Sequence, residues 1–80
     1  MLKSLVKTDW LVLGGQSCPV HYFAARTGRG GRRYSAEVVL GPDDHIIVDD
    51  DSLGTLEASV ARLVPAMVYS RQLAGRATAA

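Results

Sequence analysis

The hydrophobic period of this chain changes near its middle, and that change restricts the fold more than any single motif. Before Asp51, apolar side chains tend to recur at every second position between breaks rich in Gly and Pro. From Leu53 onward they recur every three to four residues. A period of two belongs to strands with one face buried, and a period of 3.6 to a helix with one apolar stripe.

Three breaks divide the first part. Gly14-Gly15 with Gln16, Ser17 and Pro19 forms the first, Thr27-Gly28-Arg29-Gly30-Gly31 the second and Gly41-Pro42-Asp43-Asp44 the third. Between them, Val20 to Arg26, Arg32 to Leu40 and His45 to Asp49 read as strands. Trp10 to Leu13 adds an N-terminal strand, while Leu2, Leu5 and Val6 also fit a short helical turn. Short loops make neighbours in sequence pair as antiparallel hairpins.

The second part carries Leu53, Leu56, Val60, Leu63, Val64, Met67 and Val68 on one helical stripe. Asp51, Ser52 or Thr55 serves as its N-cap and Gly75 as its terminator. Pro65 predicts a kink, or a break into two helices. The expected fold class is therefore α+β. It is a three- to four-stranded antiparallel meander with one C-terminal helix, kinked or broken near Pro65, packed on one face. Eighty residues make one domain, read as 1–75 with a frayed tail over 76–80. Of the stripe, Leu56, Val60, Leu63 and Met67 are expected to be buried. A sheet covered on one side keeps a bare face and an open edge, so a homodimer is expected, with Trp10, Leu11 and Leu13 contributing.

No apolar run reaches the roughly 18 residues of a membrane span, and Met1 to Leu13 has too short an apolar stretch for a secretory leader. The expected location is the cytoplasm, with no membrane partner. Cys18 stands alone, so it forms no internal disulfide, and it is expected to be a small buried side chain or, if exposed, a cross-link between copies. Cys18, His21 and His45 supply too few ligands for a metal cage. No nucleophile–base grouping stands out. The expectation is a chain with no catalytic residues, no metal and no cofactor.

The net charge of +1 hides a segregation. Lys3, Lys7, Arg26, Arg29, Arg32 and Arg33 stand against Asp9 in residues 1–33. Glu37, Asp43, Asp44, Asp49, Asp50 and Asp51 follow with no base among residues 34–51. Opposite charges in separate blocks suit recognition of a protein partner. The candidate partner-binding residues are Arg26, Arg29, Arg32 and Arg33 at the glycine-rich tip, with Asp43, Asp44, Asp49, Asp50 and Asp51 in the acidic block. Guanidinia at such a tip also suit phosphate, so a nucleic-acid-binding regulator is the alternative, disfavoured by the near-neutral total.

Two resemblances accompany this reading. Arg33-Tyr34-Ser35-Ala36-Glu37-Val38-Val39-Leu40, then Ile46-Ile47-Val48-Asp49 and a helix opening at Leu53, resembles the pterin synthases of the 6-pyruvoyl-tetrahydropterin type over about half of the chain. That family binds zinc through histidines. Arg26 and Gly31-Arg32-Arg33 stand at the comparable positions, so a degenerate pterin-synthase-like fragment is implied rather than the activity. In size, architecture and charge layout the chain also resembles small phage-encoded inhibitors of the anti-CRISPR kind. That resemblance implies a non-enzymatic inhibitor or regulator in the host cell cytoplasm. It would cover a nucleic-acid or effector site on a bacterial protein complex such as a CRISPR effector.

Overall fold

Each connection between strands is short enough to force a reversal, and the backbone at each shows how. The computed structural model of the chain describes residues 3–79, with side chains described through residue 74. Strand β1 (Lys3–Leu13) meets β2 (Gln16–Arg26) through Gly14 and Gly15, at φ 58° and 80°. Both residues of that two-residue turn need the left-handed region, which glycine enters without steric cost. Between β2 and β3 (Arg32–Gly41), the Thr27 N–H donates to the Gly31 carbonyl at 2.8 Å. The Gly31 N–H returns to the Thr27 hydroxyl at 3.1 Å. Pro42 and Asp43 turn β3 into β4 (Asp44–Asp50), helped by a register shift between Val39 and Gly41.

The result is one antiparallel sheet in the order β1-β2-β3-β4, followed by helix α1 (Leu53–Ala79). The meander with a single C-terminal helix agrees with the sequence reading. β1 is much longer than Trp10 to Leu13 and includes Leu5 and Val6, while Leu2 of the expected helical turn lies outside the described residues. β1 escapes the alternation test because its register shifts between Leu5 and Lys7, leaving Val6 as the extra residue of a bulge. The helix is one element with Pro65 inside it, not two, and it also passes Gly75. Pro65 and Ala61 are both exposed, so water can take the Ala61 carbonyl that the missing N–H leaves free. The side chains of the expected tail, Arg76 to Ala80, lie outside the described residues.

Ser52 starts the helix. Its carbonyl accepts from the Leu56 N–H at 2.9 Å and its hydroxyl from the Thr55 N–H at 3.5 Å. Asp50 Oδ1 accepts from the Asp51 and Ser52 N–H groups at 2.7 and 3.3 Å, which bends the chain out of β4.

The core lies between the helix and one sheet face. Cys18, Val20 and Tyr22 of β2, Ala36 and Val38 of β3 and Ile46 of β4 meet Leu56, Val60 and Val64 of α1. The helical spacing is therefore i, i+4 through 56, 60, 64 and 68. Leu63 and Met67 were expected to be buried but are 37% and 40% exposed, because they stand at the flank of that row. Leu11 and Leu13 pack against the core from the helix side, so of the expected self-association residues only Trp10 is exposed, at 64%. Cys18 is buried, with its thiol 3.9 Å from the Gln16 carbonyl.

Candidate partner-binding surface

In a meander, successive turns fall at alternate ends of the sheet, and this places the charges. The Thr27–Gly31 tip and the junction of β4 with α1 share one end. The Gly14-Gly15 and Pro42-Asp43 turns share the other.

Arg26 and Arg32 stand directly opposite each other where β2 and β3 close on the tip, and Arg29 lies between them in the loop. All three are exposed. Arg33 is one step further along β3 and pairs with Asp51. The four arginines thus gather as the sequence suggests. Among the described residues, the ion pairs are Lys7–Glu57, Arg33–Asp51 and Arg71–Asp44 at 2.5 Å, and His45 Nδ1 lies 3.8 Å from the Glu37 carboxylate. Arg26, Arg29 and Arg32 take part in none of them.

The acidic block does not gather. Asp43 and Asp44 lie at the far turn, where Asp44 holds Arg71 of the helix. Asp49, Asp50 and Asp51 lie a strand's length away, roughly 20 Å for seven residues. That end is the arginine end, since Asp50 is opposite Tyr34 and Asp49 opposite Ser35. Segregation along the chain thus becomes a mixed-sign surface at the tip. Asp50 and Asp51 are occupied by the turn and by Arg33, which leaves Asp49 as the exposed carboxylate beside the tip that makes no pair.

A second group lies across the sheet near β1. Lys7 pairs with Glu57 of the helix and sits 5.2 Å from the centroid of the Tyr22 ring. Hydrogen bonding to Glu57 holds the Lys7 ammonium above its ordinary pKa, against a smaller opposing effect of desolvation. Burial raises the Tyr22 phenol, and the Glu57 carboxylate adds to this. With Asp9, Trp10 and Ala61 these residues line an open hollow of about 170 Å³. A second hollow of about 310 Å³ lies at the far end between Leu13, Cys18, Leu40, Val68 and Arg71.

His21 and Cys18 lie on opposite sheet faces, with His21 Nδ1 3.1 Å from the Thr8 hydroxyl. Among the described residues, no three His, Cys, Asp or Glu side chains converge as a metal site, and no helix is long and apolar enough to cross a membrane.

Sequence reasoning expected a bare sheet face but missed most of its residues: Leu5, Val12 and Ile47 join Trp10 in exposure. A signal was present. Ile46-Ile47-Val48 is a continuous apolar run, and in a strand such a run sends apolar side chains to both faces. No family model matches this chain, and no curated protein or solved structure matches it either.

Proposed function

We propose that the chain is a small non-enzymatic interaction protein. It acts as an inhibitor or regulator by seating its arginine end on a protein partner and covering a nucleic-acid or effector site there. The partner class that its size and architecture suggest is a bacterial effector complex of the CRISPR kind. One observation supports the reading most: Arg26 and Arg32 face each other across the β2–β3 ladder with Arg29 between them, and no carboxylate of the described residues pairs with any of the three. Like charges directly opposite in a ladder oppose folding. Carboxylates of a partner relieve that repulsion on binding. The Asp49 and Asp51 carboxylates at the same end weigh against a polyanion and favour a protein surface that itself carries both signs.

The test is a pull-down from bacterial lysate with mass spectrometry, followed by binding measurements on the captured complex. Changing Arg26, Arg29 and Arg32 together to Glu should abolish capture while circular dichroism and melting stay unchanged. Asp49→Asn should weaken binding to the same complex. The reading fails if Asp49→Asn instead gains affinity for DNA or RNA and keeps its biological activity. Nucleic-acid binding would then show a steep salt dependence, with a log–log slope of about −0.9 per duplex phosphate neutralised.

A further inference from the structure

The outer face of the sheet carries exposed apolar side chains among polar ones and is uncovered by any described element. Alternation and register place Leu5, Trp10 and Val12 of β1 on it, together with Phe23 of β2 and Ile47 of β4. Trp10, Val12 and Ile47 are at least 60% exposed, and Leu5 59%. We propose that this face is the interface of a symmetric dimer, in which the outer faces of two copies pack against each other as a two-sheet sandwich with the helices outermost.

Area and charge both point to a second copy as the occupant. Four strands at about 4.8 Å spacing and roughly 30 Å in length present about 600 Å² per copy, or about 1,200 Å² in the pair. That is at the lower bound of stable specific interfaces. The charges on this face then choose the axis. Lys3 on the β1 edge and Asp49 on the β4 edge both lie toward the arginine end, since Lys3 is opposite Ala25 and Asp49 opposite Ser35. Three strand spacings, about 14 Å, separate these edges within one copy. A half-turn about an axis along the strands lays β1 of one copy over β4 of the other and β2 over β3. Lys3 then meets the acidic end of the partner copy's β4 twice. His21 comes over Glu37, to which it is already opposite within each copy. Turning about the perpendicular axis instead lays Glu37 on its own counterpart, which places two carboxylates in contact at the centre of the interface.

Light scattering and sedimentation equilibrium test this on the full chain. At high micromolar concentration the wild type should have twice the 8.6 kDa chain mass. Trp10→Lys should return it to a single chain with its circular dichroism unchanged. Lys3→Glu alone and Asp49→Lys alone should each be monomeric, because each sets like charges against each other at both contacts. Mixed in equal amounts, the two variants should dimerise, since a heterodimer restores opposite charges at both. A wild type that stays at 8.6 kDa overturns the proposal. A Trp10→Lys dimer overturns it too, by placing association at the β1 edge or the helix. If the variant mixture associates no better than its components, the face-to-face arrangement about this axis is wrong. The charge pair does not depend on Trp10, so the mixing experiment decides even if Trp10→Lys folds poorly.

Discussion

On the helix side of the sheet Val20, Val38 and Ile46 are 1%, 0% and 6% exposed, while on the outer side Val12 and Ile47 keep 66% and 60%. Ile46 and Ile47 are adjacent and chemically identical, yet their environments are opposite. Residue type therefore does not set burial here. The parity of a position within its strand decides, together with which face the single helix covers. One helix can seal one face of a four-stranded sheet and no more. The apolar residues on the other side are surplus to the fold of a single copy.

The largest test of that contrast is Leu56→Ala. Leu56 is fully buried between helix and sheet, so its truncation should cost about 2–5 kcal/mol through lost transfer energy and the cavity left behind. In a core this small, the loss should appear in urea unfolding as a much lower midpoint with an unchanged slope. A midpoint within error of wild type would show that α1 does not seal this face.

A smaller effect should come from alkali. Lys7 and Tyr22 both hold their protons more tightly folded than unfolded. Their contribution is complete below their unfolded pKa values. It is lost as pH rises through the folded values, because the unfolded chain releases its protons first. Melting temperature should therefore begin to fall above about pH 10. Lys7→Met combined with Tyr22→Phe should flatten that fall, and an equally steep decline in the double variant would refute the assignment to this corner.

The smallest effect belongs to the outer face. In protein diluted to monomer, Ile47→Thr should change stability by no more than about 0.5 kcal/mol, as expected of an exposed position. A loss as large as that of Leu56→Ala would mean that the outer face is part of the core of a single chain.

Much of the architecture was legible in the residues. The breaks at Gly14-Gly15, Thr27–Gly31 and Gly41–Asp44 located every strand connection, and the change of period located the helix. The first half of β1 was hidden because Lys3, Ser4, Lys7, Thr8 and Asp9 give it little apolar content and the bulge at Val6 breaks its alternation. The helix face was blurred because Leu63, Val64, Met67 and Val68 are all apolar. Only contact with the sheet separates the buried Val64 from its exposed neighbours. At the candidate site the arginines were legible as a cluster, because one short loop holds them. The acidic residues were legible as groups that flank a strand, and β4 indeed carries them to opposite ends of the sheet, so they form no single contact surface.

Each strand pairs with the strand just before it, so every hairpin closes a short loop and the sheet can assemble by successive local steps. The element that covers it is made last. A chain made N-terminus first has all four strands synthesised before the 27 residues of α1. Until α1 docks, Val20, Tyr22 and Val38 have no cover on their face of the sheet. During that interval the nascent sheet has two greasy sides, and chaperones or a neighbouring nascent chain can reach either of them.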